Sequence, residues 1–431
     1  GSNYSRDNLS FKANFRTSAT TSIDVNARYS KTNVRGSGAN SMNSDTYTLT
    51  DNLSIFAGNH NFTIGTHNEF FKFNNVFIQY AYGEYTFATL ADFFNNNPNQ
   101  YDYKFADPEY TGGATRWAAT TYALELGLYA QDEWKPGRNF TLTYGVRADL
   151  PVLLNHPTVN DDFNAKADAG TFGSFNEHVG ATPKPTVLWS PRVGFRWFLN
   201  DNHKSLLRGG AGLFTGRVPF VWISNNFSNT GVQQLSFDTG SGKAGNYDLQ
   251  FILDPNGQNK NLPTTSQGAP AFSAQTINVF DKDFRFPQTF RADLALDYTD
   301  NAGIKWTAEA IYSKTINDMI VRKRNYEASG KTWGENAGVS FDKRPMMAAI
   351  KTSDGQNFAN VYSLDNVSGG YSYNLSLKAE KSFDFGLDLM ASYTYGQSYT
   401  INNGSSSVAA SNWQYNYTHD NPNEPELSKS N

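Results

Sequence analysis

The 431 residues include no cysteine. A disulfide framework, a thiolate metal centre and a cysteine nucleophile are therefore excluded. Histidine is scarce too: the six are scattered at 60, 67, 156, 178, 203 and 419, which argues against most zinc enzymes. No stretch of about 18 apolar residues occurs, so no transmembrane helix is expected. No basic segment followed by an apolar run opens the sequence, so no signal peptide is expected. Neither charge dominates. Thirty-six Lys and Arg against 40 Asp and Glu give a net charge of −4, which leaves no electrostatic footprint for nucleic acid. Apolar content is only 39%, and mean hydropathy is −0.56. Against these shortages stands an aromatic content of 15%, together with abundant Asn, Ser, Thr and Gly. Disordered chains are poor in aromatics, so the composition calls for something folded and hydrophilic that aromatic residues anchor.

Period-two alternation is the dominant pattern. In Tyr122–Trp134, one face carries Tyr122, Leu124, Leu126, Leu128 and Ala130, and the other carries Glu125, Gly127, Tyr129, Gln131 and Glu133. Helical spacing would scatter these leucines around a cylinder. A turn at Lys135-Pro136-Gly137-Arg138 leads into Phe140, Leu142, Tyr144, Val146 and Ala148 on one face, with Thr141, Thr143, Gly145, Arg147 and Asp149 on the other. Hairpins of this kind are expected near residues 7–30, 47–72, 120–150, 190–215, 288–315 and 371–397, giving about twelve strong strands. Weaker strands are expected inside the connections, as at Met319 to Tyr326.

Turns within hairpins are short. Connections between them are long: 73–118, 151–188, 216–286, 317–370 and 398–431, after a first at 31–45. A soluble sandwich or propeller has no reason to segregate loop length in this way. A transmembrane β-barrel does, with short periplasmic turns and long extracellular loops. Trp134, Phe140, Trp197, Tyr298, Trp306, Phe383 and Phe385 stand beside the short turns, as interfacial girdles do. Short helical pieces are expected at Thr89–Phe94 and Pro219–Ile223. The terminal Glu424–Asn431 reads as an interruption and not as a closing strand.

Few constellations suggest chemistry. Charges on the polar faces, among them Glu125, Arg147, Asp149, Arg192, Arg208 and Asp297, come in both signs and suit cross-strand pairing inside a lumen. The acid pairs Asp161-Asp162 and Asp281/Asp283 lack EF-hand spacing. Gly209-Gly210-Ala211-Gly212 lies in a strand pattern without the ending of a phosphate loop, and is expected to allow close packing. No nucleophile elbow occurs. No catalytic residue, cofactor or metal site is expected, and the chain reads as a non-enzyme. Loops 73–118 and 216–286 are dense in aromatics. Phe93, Phe94, Tyr101, Tyr103, Trp222 and Phe227 are the candidate ligand contacts at the outer mouth, and packing of the loops on one another is the competing use.

Tyr129-Ala-Gln-Asp-Glu-Trp134 followed by Leu142-Thr-Tyr-Gly-Val-Arg147 resembles a hairpin widespread in TonB-dependent outer-membrane receptors. Ser190–Phe195 and Leu207–Phe214 resemble the next. Thr215–Trp222 and Phe286–Leu296 are similar to the Oar-like branch typical of Bacteroidetes. The resemblance covers about residues 7–400. It implies a 22-stranded antiparallel up-and-down barrel in the outer-membrane lipid, plugged by an N-terminal domain and energised by a TonB complex. This chain shows no plug-like segment, and about twelve to sixteen strands are too few. It is therefore expected to be part of such a barrel, within a transporter of a large or scarce substrate. The alternative is a soluble or surface-attached β-rich module that binds glycans or peptides.

Overall fold

The computed structural model describes residues 3–35, 39–114, 116–173, 175–242, 244, 247, 249–262, 275–350, 358–404, 406–416, 418 and 420–430. Parts of the long segments 216–286, 317–370 and 398–431 lie outside these residues, as do His419 and Asn431.

Twelve strands of 11–19 residues form one antiparallel wall. They are β1 (Asn3–Ser18), β2 (Thr21–Arg35), β3 (Ala39–Ala57), β4 (His60–Ile78), β7 (Ala119–Trp134), β8 (Phe140–Leu153), β9 (Leu188–Phe198), β10 (Ser205–Thr215), β13 (Gln288–Thr299), β14 (Lys305–Lys323), β18 (Tyr371–Ser382) and β19 (Asp388–Thr400). Each pairs with its neighbour in that order. β20 (Ser428–Lys429) adds two residues to β19, so a short strand stands where the sequence suggested only a turn. Among the described residues the sheet does not close, because β1 pairs only with β2.

The alternation becomes two continuous faces because the register keeps like residues in line across strands. On one face Leu9, Tyr29, Tyr47, Phe70 and Leu124 are successive partners. Farther along the wall, Tyr144, Val193, Ala211, Ala292, Tyr312 and Tyr373 do the same. This face is open: Leu9 is 72% exposed and Leu128 63%. On the opposite face a row runs Thr63, Gln131, Gly145, Arg192, Gly212, Arg291, Ser313, Ser372, Ser398. A slip of one residue in any strand would place charge in the apolar face. Gly209 shows why the glycines of β10 are needed. A Cβ there would stand 2.6 Å from the Asp293 carbonyl oxygen.

Aromatics mark both margins of the apolar face. Near the short turns Phe140 pairs with Trp197, Tyr298 pairs with Trp306, and Trp306 Nε1 donates to Asp300 Oδ2 at 3.1 Å. Toward the long connections Tyr29, Tyr47, Phe70 and Tyr122 form a ladder with ring centroids 4.9–6.2 Å apart. Tyr122 and Trp134 are twelve residues apart on β7. At about 3.3 Å per residue and a tilt near 45°, that is roughly 28 Å along the barrel axis, the height of a hydrocarbon layer.

The long connections hold folded pieces. β5 (Glu84–Thr86), β6 (Gln100–Ala106) and β11 (Gln234–Asp238) make a three-stranded sheet, and β12 (Gln275–Phe280) lies parallel to β17 (Phe358–Val367). β15 (Tyr326–Thr332) pairs with β16 (Pro345–Ala349). Helices α1 (Leu90–Phe94), α2 (Pro108–Thr111), α3 (Asp161–Asp168), α4 (Phe220–Ser228), α5 (Trp333–Ala337) and α6 (Ala409–Gln414) complete the cap. Met319–Lys323 is the outer end of β14 and not a strand of its own. It runs on because it pairs with β17 after leaving β18. No helix is long and apolar enough to cross a membrane among the described residues.

Candidate functional site

The polar face of β4, β7 and β8 gathers a charged cluster. Arg147 Nε donates to Asp149 Oδ1 at 2.6 Å, and its guanidinium lies 5.5 Å from the Tyr129 ring centroid. Gly127 makes that position available, since a Cβ there would meet Arg147 Nη2 at 2.3 Å. Tyr129 donates to Asn52 Oδ1 at 2.6 Å. His67 contacts Thr50 Oγ1 through Nδ1 at 2.7 Å, and its Nε2 is 3.5 Å from Glu69 Oε2. Arg217 arrives from the segment after β10. It forms an ion pair with buried Glu69, donates to Glu125 Oε2 at 3.3 Å, and lies 5.2 Å from the Phe71 ring centroid. Of these, His67, Glu125, Tyr129, Arg147, Asp149 and Arg217, with Arg192, Phe214 and Phe286, border a cavity of about 450 Å³. Two groups in it are left over. Glu125 Oε1 is buried without a hydrogen-bond partner, and Arg192 makes no hydrogen bond or ion pair among the described residues.

Above the cavity α4 folds inward against the wall. Phe220 stacks on Phe73, with centroids 4.2 Å apart, and packs tilted against Phe71 at 4.8 Å. Asn75 Nδ2 donates to Ser224 Oγ at 2.8 Å, and Asn225 Nδ2 donates to the Ser407 carbonyl at 2.7 Å. Eight of the nine α4 residues are buried. A helix covered on all sides is a core element. Arg217 and α4 together therefore form a strap, fixed to the wall at one end by charge and along its length by aromatic packing.

Of the aromatic residues expected to meet a ligand, Tyr101, Tyr103, Trp222 and Phe227 are buried. Tyr101 and Tyr103 pack with Phe105 and Phe237 in the core of the β5–β6–β11 sheet. Trp222 and Phe227 join Phe71, Phe280 and Phe286 in the core beneath the cap. Their rings are consumed in packing the cap and offer no face to a ligand. Phe93 and Phe94 differ. They are 47% and 76% exposed, on a helix that Thr89 and Asp92 close with a reciprocal capping box. The structure thus does not bring the six residues into one site.

The acid pairs serve structure. Asp161 and Asp162 occupy the first turn of α3, where Asp162 accepts from Lys166 Nζ at 2.9 Å. Asp281 joins Glu177 and Asp365 around Arg324, with oxygens 3.5, 2.6 and 3.2 Å from its Nη2. That hub ties three connections together. Among the described residues no group of three or more acidic or histidine side chains could hold a metal. Arg217, Glu69 and Arg324 escape a reading of the sequence because their partners are remote. The spacing of Tyr101, Tyr103 and Phe105, which is itself period two, is a signal from which the inner strand β6 could have been read.

The wall with two faces, aromatic margins and a cap on one end defines the class. The chain matches, over residues 2–431, the family described as an outer membrane beta barrel domain, and it belongs to that family. It is a protein of the bacterial outer membrane. Among solved structures it is similar to the outer membrane transporter YddB from Escherichia coli, with 11% identity and a TM-score of 0.51, over 99% of this chain and 46% of that one. It is also similar to the FrpB iron transporter from Neisseria meningitidis, F5-1 variant, with 9% identity and a TM-score of 0.50, over 91% and 44%. The chain thus spans about half the length of the structures it matches. No curated protein sequence is significantly similar to it.

Proposed function

We propose that this chain is the barrel portion of an outer-membrane transporter of the TonB-dependent type, of the Oar-like branch, and that it contributes twelve strands to a larger barrel near 22. The observation that carries the reading is the pair of register-matched faces: apolar outward between two aromatic margins, charged and hydroxylated inward, with the inner side strapped at one end by α4. Such a wall separates lipid from a polar passage and makes or breaks no bond. The fold it shares with two proteins described as transporters supports the same reading. A TonB complex would supply energy through a plug domain of the parent protein. Phe93 and Phe94, on the exposed tip of the cap, are the ligand contacts retained from the aromatic loops.

The reading is tested by comparing solute depletion from the medium by cells with and without the parent gene, using mass spectrometry. Loss of uptake of a small set of solutes, reproduced in the parent strain by a protonophore, is expected. An unchanged depletion profile overturns the transporter.

A further inference from the structure

We infer that the cavity below the α4 strap is a binding site for the two termini of a short peptide, about three to four residues long. The inference rests on the inner face being a passage, and it names the chemistry this part of the passage receives.

The charges of the cavity are almost all spent on one another: Arg147 on Asp149, and Arg217 on Glu69 and Glu125. Among the described residues, what remains on the lining is one acceptor, Glu125 Oε1, and one cation, Arg192. A ligand that satisfies both must carry a donor cation at one end and an anion at the other. A simple anion leaves the Glu125 oxygen unpaired, and a neutral sugar satisfies neither charge. A hydrogen bond from a cation to a carboxylate oxygen is worth about 1.5–3 kcal/mol, so a ligand with an ammonium group gains at Glu125 what a simple anion does not.

Register gives the length. Arg192 lies opposite Gly145, and Gly145 opposite Gln131, six residues along β7 from Glu125. Six residues span about 20 Å of strand. Arg192 also stands two strands from Glu125, about 10 Å across the sheet, so their backbones are roughly 22 Å apart. Both side chains border the same cavity, and their combined length of about 12 Å leaves about 10 Å, the extended length of three residues. A cavity of about 450 Å³ holds such a ligand. Glu125 lies nearer the strap, so the ammonium group faces the cap and the carboxylate points deeper, toward Arg192. Phe286 and Phe214 on the border leave room for apolar side chains.

The test is isothermal titration of the whole chain in detergent with trialanine, N-acetyl-trialanine and trialanine amide. Saturable binding of trialanine with Kd near or below about 1 mM is expected, weakened about tenfold or more by either modification. Glu125→Gln should abolish the penalty for acetylation alone, and Arg192→Met the penalty for amidation alone. Arg192 is exposed and Glu125→Gln is isosteric, so neither change threatens the fold. Equal binding of the blocked and free peptides, or no saturation by trialanine, overturns the site. In parallel, the parent protein, whose further strands can pair the free edge, is reconstituted in lipid vesicles and extracted with carbonate. Retention in the membrane without trialanine binding condemns the site and leaves the barrel standing. Release from the membrane condemns the barrel reading, while the titration still decides the site.

Discussion

Asp132 shows how single residues are fitted to this wall. It falls on the apolar face, in line with Leu126 and Leu128, yet it is only 3% exposed. His60 Nδ1 lies 2.6 Å from its Oδ2, and the Tyr144 hydroxyl donates to the same oxygen at 2.9 Å. His60 itself is stacked between Phe62 and Trp134, with centroids 5.4 and 5.8 Å away. A carboxylate at a lipid margin is tolerable only when it is so covered. Replacing His60 by Leu leaves that oxygen with one partner, and should lower stability by about 1–3 kcal/mol in urea titrations of the vesicle-bound parent protein. Tyr144→Phe should cost about 1 kcal/mol. The alternation of β7 was legible from its leucines. The Asp132 arrangement was not, because His60 lies 72 residues away in the sequence and only the β4–β7 pairing brings it near.

Among the elements, α4 and the β5–β6–β11 sheet separate what a sequence carries from what it hides. Pro219-Phe220-Val221-Trp222-Ile223 read as helical, and α4 runs on to Ser228. Its inward fold depends on Phe71 and Phe73, which nothing local connects to it. Phe220→Ala should release the strap while the wall stays folded. The chain lacks cysteine, so Asn226→Cys supplies a single thiol at a site 2% exposed. That thiol should react with a maleimide at least about tenfold faster in the Phe220→Ala background, since exposure of a buried group follows local opening. The loop sheet carries a different liability. Asp102 stands between Glu84 and Asp238 on the neighbouring strands, and Gln100 Nε2 donates to both Asp102 and Asp238. Burial, then the Asp238 charge, pushes the Asp102 carboxyl up to about 6 from 3.8. A raised carboxyl favours the folded sheet when protonated, so the sheet loses stability as pH climbs from about 4 through 6 and changes little above. Amides of β5, β6 and β11 should be better protected from hydrogen exchange at pH 5 than at pH 7, after correction for intrinsic rates. Asp102→Asn should remove the difference.

At the scale of the molecule, fold class was the most legible property. Two-residue periodicity and unequal connections both follow from one constraint, that every wall strand has a lipid side and a water side. The arrangement of the cap was least legible, because it rests on contacts such as Arg324 with Glu177, 147 residues apart. The open apolar face predicts behaviour in bulk. Exposed Leu9, Phe11, Leu128, Leu294, Leu375 and Tyr393 form part of a patch far beyond what soluble monomers carry. The chain should be monodisperse by size-exclusion chromatography in detergent and should aggregate when detergent is removed. A monodisperse monomer in plain buffer, with its strand content intact, would refute the outward assignment of that face.

The free edge of β1 bears on how the wall assembles. Along Asn3–Ser18 the backbone groups that do not face β2 have no strand beside them among the described residues. In hydrocarbon each unsatisfied amide or carbonyl costs several kcal/mol, so entry into the bilayer cannot precede pairing of that edge. Insertion kinetics therefore report which partner completes it. If another strand of the same polypeptide does so, the rate is first order and indifferent to protein concentration. If a second molecule does so, the rate rises with concentration, and dilution stalls the reaction at the membrane surface.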